Sequence, residues 1–499
     1  MYKLFCLFYF LTIIQNVYSQ KLPANQKNAR AEIFVSNTKT IPTAEALSPF
    51  LYLKNILENV EKNFPLILSL YQDMRLAESE LLSAKGAFDP SIKSAITSAP
   101  LGFYQNNRFD ILAEQPTQYN GMSFFGGYRM GRGSFAPYDG KQATNSLGEI
   151  RGGARIPLWR DRSIDKNRAA LKQAELGIQV ADYTVAQQKI EIYRNATIRY
   201  WDWVAAGQRF EIAKSLYEIA VERKKQIVKR VKAGDLPAIE EVENERVILQ
   251  RESLLASAVQ FIDVASNELS IYLPNAQGYL YIPKIEQIPK SEFGNFEIIS
   301  NANQDTIIEN AIKIRPDLKR FEAQKQQNLI DQDLAKNQMS PGVDVVVMAS
   351  QDLGTGSVTR SRTELEAGLV LNVPLRTRTQ QGKLEGSIAK NLKLNEQEKF
   401  LKERIIADIR NAAVTVENTK KRAILAQKEF VLAKRLEEAE RNRYIVGEGT
   451  LLIVNIREQT TGEAAIREVD ALADHHRAIA NYKAAIAEVL ISESKNEKK

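Results

Sequence analysis

The sequence predicts a mainly α-helical chain with a membrane β-barrel portion, built twice on one plan of short helix, strand pair and long helical hairpin. Three observations predict it: proline pairs that recur at a constant offset, helical stretches too long for a compact domain, and strand-length segments with one apolar face.

The repeat comes first. Phe64-Pro65 opens a helical segment that closes at Asp89-Pro90, and Arg315-Pro316-Asp317 opens one that closes at Ser340-Pro341, so both prolines recur 251 residues later. Each segment leads to a strand-like run closed by an apolar-Pro-Leu triplet, Ile156-Pro157-Leu158 and Val373-Pro374-Leu375, with proline where a strand must stop. These triplets are 217 residues apart, which assigns 34 extra residues to a loop of the first half. A long helix follows each triplet, over 162–233 and 380–446, ending in Lys232-Ala233-Gly234-Asp235 and Ile445-Val446-Gly447-Glu448, with glycine where a helix C-terminus turns. Second helices return over 236–273 and 450–491. The predicted organisation is a first repeat over 20–273, a linker over 274–304, a second repeat over 305–491 and a basic tail over 492–499.

The first residues read as a secretory signal peptide over 1–19: Lys3, an apolar run from Leu4 to Ile14, then Val17-Tyr18-Ser19. That run is too short for the ~20 residues a spanning helix needs. The only cysteine, Cys6, lies inside it, so the processed chain is expected to hold no disulfide, lipid anchor or cysteine metal site. The net charge of +7 is a mild excess over many interspersed acidic and basic residues, which argues against a nucleic-acid partner. Past the signal segment no apolar stretch reaches ~18 residues, so any membrane insertion must use β-strands.

Leu171, Ala174, Ile178, Ala181 and Val185 form a seam at spacings of three and four, as do Trp203, Ala206, Phe210, Ala213 and Tyr217. Helices of this length would be about 100 Å long, at ~1.5 Å per residue. Small residues such as Ala205-Ala206, Ala412-Ala413 and Ala484-Ala485 permit close packing. One chain still presents a half-covered layer, so copies are expected to associate.

Four strands are predicted, about 91–104, 147–158, 343–352 and 363–375. In the last, Leu365, Ala367, Leu369, Leu371 and Val373 share one face. The aromatics and glycines between Pro90 and Pro157, among them Phe103, Tyr104, Phe124, Phe125, Gly126, Gly127 and Tyr128, suit membrane-interface girdles and exposed loops. Four strands cannot close a barrel, and an open edge in lipid leaves backbone groups unpaired. Three subunits of four strands would supply 12 and close it.

The duplicated plan, the apolar-Pro-Leu strand ends, Tyr200-Trp201-Asp202-Trp203-Val204-Ala205-Ala206 and Arg443-Tyr444-Ile445-Val446-Gly447-Glu448-Gly449-Thr450-Leu451-Leu452 together resemble the TolC-like outer-membrane efflux protein family over essentially the whole processed chain. The resemblance implies a homotrimer forming a 12-stranded barrel in outer-membrane lipid and an α-helical periplasmic tunnel, with a mixed belt from Pro274 to Gln304 and the C-terminal residues. It implies partners as well: a periplasmic adaptor (membrane fusion) protein and an inner-membrane pump, in an efflux or type I secretion system that exports small molecules or polypeptides. The periplasmic gate and adaptor-contact tips would comprise Gly234, Asp235, Glu240, Glu243, Gly447, Glu448, Ile453 and Ile456. Family members often carry acidic rings six and nine residues past the turn glycine. Glu240 and Glu243 match in the first repeat, whereas Ile453 and Ile456 stand at those positions in the second, so an apolar constriction is the alternative gate.

No enzyme and no cofactor is expected. His475 and His476 are the only histidines, are adjacent and therefore about 100° apart on a helix, and are read as exposed positions. Gly131-Arg132-Gly133 and Gly447-Glu448-Gly449 lack the strand-to-helix context of a phosphate loop. Trp201 and Trp203 read as packing anchors. The rival function is a periplasmic coiled-coil adaptor or scaffold protein, which would surround one hairpin with a compact β-rich domain.

Overall fold

Proline and glycine punctuate the helices as local chemistry dictates. The computed structural model describes residues 50–289, 293–294 and 304–488, so the signal segment 1–19, the tail 492–499 and part of the 274–304 linker lie outside the described residues. Helix α1 (Leu53–Asn63) leads into α2 (Pro65–Gly86), whose first residue is the proline that needs no intrahelical N–H bond. Pro316 opens α6 (Pro316–Gln338) in the same way, directly after α5 (Gln304–Ile314).

Helix α3 (Lys166–Lys232) runs 67 residues, about 100 Å at ~1.5 Å per residue. The Asp165 carboxylate caps it by accepting from the backbone N–H groups of Asn167 and Arg168, and Lys229, Arg230 and Lys232 face its negative C-terminal end. Helix α7 (Arg378–Ile445) is its 68-residue counterpart. Gly234 and Gly447 follow these helices with φ of +83° and +84°. The Asp235 N–H then donates to Arg230 O at 2.9 Å and the Glu448 N–H to Arg443 O at 2.8 Å, the same left-handed C-terminal cap in both halves. Helices α4 (Ile239–Ser270) and α8 (Leu451–Ala485) return antiparallel to α3 and α7.

The columns order themselves by contact. α2 and α4 pack on opposite ends of α3; α6 and α8 pack between α3 and α7. The result is a layer bordered by α2 and α4 on one side and by α7 on the other. Its densest packing surrounds Tyr200, Trp203, Val204 and Ala205, fully buried against Ile56 and Val60 of α1, Leu269 of α4, and Leu472 and Ala473 of α8. Packing is tight here, with Ile288 Cδ1 lying 2.0 Å from where a Cβ on Gly207 would stand.

The sheet corrects the strand count. It has six antiparallel strands in simple meander order, β1 (Ser91–Ala99), β2 (Asn106–Pro116), β3 (Ser123–Gly133), β4 (Glu149–Pro157), β5 (Gly342–Asp352) and β6 (Glu364–Asn372). The segment read as girdle and loop therefore holds the β2–β3 hairpin, and the first strand stops at Ala99, not 104. Glycines hid this hairpin: Gly126, Gly127, Gly131 and Gly133 carry no side chain to declare a face. With six strands per subunit, three copies would supply 18 strands, and the 12-strand arithmetic no longer holds.

Candidate functional site

Strand register sorts the sheet into two chemically distinct faces. Residues directly opposite one another share a face, so the pairings place Lys93, Arg108, Asp110, Glu114, Arg129, Glu149, Arg151, Arg155, Asp344, Asp352, Glu364 and Glu366 together. The opposite face carries Ile92, Ile96, Phe109, Ile111, Phe124, Tyr128, Ile150, Ile156, Val345, Val347, Leu365, Leu369 and Leu371. Arg132, at the end of β3, is its only charged side chain within the strands. Ion pairs tie the charged face across strands: Lys93 to Glu114 at 2.9 Å, Arg151 to Asp110 at 2.5 Å, Arg155 to Asp344 at 2.5 Å, and Arg129 to Glu149.

The layer's two borders are unfinished. β1 follows α2, β6 precedes α7, and among the described residues each pairs along one side only. The same borders expose large apolar side chains: Leu76 and Leu82 on α2, Val242, Leu249 and Phe261 on α4, and Leu392, Phe400, Val414, Leu425 and Leu432 on α7. Both edges of one subunit thus present apolar helix surface continuous with an open strand.

At the far end from the sheet lie the two hairpin tips. Gly234, Asp235, Gly447 and Glu448 are exposed at the turns, while Glu240 and Glu243 lie half-buried on the first turns of α4. Glu243 pairs with Arg246 at 2.7 Å, and that guanidinium holds its carboxyl below the usual value. Ile453 and Ile456 are exposed on α8 beside buried Leu451 and Val454. Ile445 and Val446, at 72% and 70% exposure, make the second tip strongly apolar, and Ile239 and Val242 extend that character to the first. Arg230 of α3 stands 5.9 Å from the Tyr444 ring centroid of α7, bringing the tips together.

Behind the tips lies a charge cluster that sequence reading missed. Glu458 of α8 is fully buried, accepting from Arg251 of α4 at 2.8 Å, from Arg441 of α7 at 3.2 Å, and from Arg223 of α3. Arg223 also donates to Asn455 Oδ1 at 2.6 Å. One carboxylate therefore touches a guanidinium from each of the other three helices of the paired hairpins. Burial alone would raise the Glu458 carboxyl; the hydrogen bonds and charges of Arg223 and Arg251 outweigh it and hold the group below 4.5. The readable signal was a carboxylate at a seam position, Leu451, Val454, Glu458, Thr461, Ala465, spaced by three and four.

The histidine reading is corrected too. His475 is fully buried with its Nδ1 3.3 Å from the Thr419 hydroxyl of α7, and His476 stacks on Trp201 of α3 at 3.7 Å. α8 lies between α3 and α7, so side chains leaving it in two directions are both enclosed. Among the described residues no group of three potential ligands could hold a metal, and no helix is long and apolar enough to cross a membrane.

No protein-family model and no curated protein matches the chain. Solved structures do. The Campylobacter jejuni CmeC outer membrane channel aligns with a TM-score of 0.61 at 14% identity, covering 87% of this chain and 85% of that one. The open state of the Neisseria gonorrhoeae MtrE outer membrane channel aligns at 0.62 and 12%, covering 87% and 88%. The Vibrio cholerae outer membrane protein VceC aligns at 0.59 and 13%, covering 87% and 96%. The chain has the TolC-like fold of outer membrane efflux channels.

Proposed function

We propose that this protein is the outer-membrane channel of an export system, with its sheet in the membrane and its helices forming a periplasmic tunnel. The observation that carries the reading is the two-faced sheet, apolar toward lipid and charged toward a water-filled bore. The unfinished borders support assembly of identical subunits, the β1, α2 and α4 edge of one against the β6 and α7 edge of the next. A homotrimer, as in the family resemblance, gives an 18-stranded barrel. The passage would be passive, with a periplasmic adaptor and an inner-membrane pump meeting the tips and supplying cargo, small molecules or polypeptides. Gly234, Asp235, Glu240, Glu243, Gly447, Glu448, Ile453 and Ile456 are the proposed gate and adaptor contacts. The exposed isoleucines favour an apolar constriction in the second repeat, with Glu240 as the less compensated acidic position of the first.

Membrane extraction separates this reading from the periplasmic scaffold. A channel stays in the membrane through salt and alkaline washes and yields ion conductance in planar bilayers after detergent extraction. Release by alkali without detergent overturns the proposal.

A further inference from the structure

We propose that the loop joining β3 to β4 is a lid folded into the bore at the outer mouth, closing the channel at the end opposite the helical tips. This rests on the channel reading above. The loop spans 134–148 and lies at the sheet end away from the helices, which join at Ser91, Pro157, Gly342 and Asn372.

Four contacts carry its middle over the charged face, while nearer β4 the Ser146 and Leu147 carbonyls accept from Arg132 and Tyr128 of the other face. Gln142, in the 3-10 segment Pro137–Gln142, accepts from Arg108 of β2. A Cβ on Gly131 of β3 would lie 1.8 Å from Gln142 O, so the loop backbone rests directly on that strand. Lys141 reaches Glu366 of β6 at 3.4 Å, and the Asn145 N–H donates to Asp352 of β5 at 2.8 Å. Arg108, Gly131, Asp352 and Glu366 all share the charged face by register. The loop thus crosses the face from β2 to β6, the direction in which the bore opens.

Two of its fastenings differ in kind. Asn145 is 3% exposed, accepts from the Ser357 N–H at 3.0 Å and donates to the Ser361 hydroxyl at 3.1 Å, pinning the loop to the β5–β6 connection. The Lys141–Glu366 pair is solvated, and such pairs are weak. A buried pin beside a weak outer latch is the arrangement of a hinged cover. The geometry also answers the extra hairpin: barrels of about 16 to 18 strands leave an aqueous channel unless something fills it, and the loop that follows that hairpin does so.

Two readouts test it, on the full chain carrying Cys6→Ser. Met348 lies on the charged face, in register with Glu366, and Met348→Cys reports access to a polyethylene-glycol maleimide in detergent-purified protein. Replacing Pro137–Gln142 with two glycines is expected to speed labelling severalfold and to raise single-channel conductance about twofold, as conductance follows the open cross-section. Glu366→Lys alone should open the mouth partially, and adding Lys141→Glu should reclose it. Equal labelling rates with and without the turn overturn the lid, as does unchanged conductance in a conducting protein. Faster labelling with no conductance from either protein instead defeats the channel reading and leaves the cover over the charged face standing.

Discussion

The two halves of this chain share a skeleton and differ at its extremities. Helices of 67 and 68 residues end in left-handed glycines with the same caps, and both short helices start on proline. Yet the first half adds the β2–β3 hairpin and the lid-forming loop at one end, and acidic Glu240 and Glu243 at the other, where the second half has Ile453 and Ile456. Backbone geometry fixes what cannot change between copies of a plan; the ends of the tunnel are where chemistry is free to diverge.

The largest expected effect removes the difference between subunit borders and interior. Phe261→Asp on α4 or Phe400→Asp on α7 puts a charge on an exposed apolar border and should shift the detergent-extracted protein to monomer in size-exclusion chromatography, with little change in monomer helicity. Next comes the cluster that fastens one repeat to the other. Glu458→Ala leaves Arg223, Arg251 and Arg441 facing one another and should cost about 3–5 kcal/mol in thermal or denaturant unfolding.

The same cluster sets an acid limit. Glu458 and Glu61, the latter held by Lys189, Tyr193 and Tyr71, both lie below 4.5, so the folded state binds their protons less tightly than the unfolded chain. Their contribution is whole above about pH 4.5 and is lost as pH falls through the folded-state values. Melting temperature should therefore drop on acidification below that point, and Glu458→Gln should flatten part of the drop.

The turns test sameness directly. Gly234→Ala and Gly447→Ala each force a side chain into a left-handed conformation and should cost about 1–2 kcal/mol apiece, equally in the two halves. The smallest effect is the tip charge. Glu240→Gln with Glu243→Gln should modestly lower cation selectivity in single-channel recordings, most of it through Glu240 because Arg246 already compensates Glu243.

What was legible in the sequence follows the same division. Pro65, Pro316, Gly234 and Gly447 act through their own backbones, so their meaning is local and could be read directly. β6 was readable because Leu365, Leu369 and Leu371 share one face, with Glu364, Glu366, Gly368 and Asn372 on the other. β2 and β3 were not, because glycine-rich β3 declares no face until Gly127 is seen opposite Leu112 and Arg151. The two histidines needed the third dimension, since His475 is enclosed by Thr419, 56 residues away, and His476 by Trp201; Glu458 left only its seam position to read, while its partners Arg223 and Arg251 lie more than 200 residues away. The tip positions themselves came from the family resemblance, counted from the turn glycine, and the structure adds the pairing of Glu243 and the exposure of Ile453 and Ile456.

A channel of this kind requires the two unfinished borders to meet in a closed ring. Light scattering on the detergent-extracted, processed protein measures that directly: a single species of three subunits is the predicted result, and a stable monodisperse monomer that remains in the membrane through alkaline washing would contradict it.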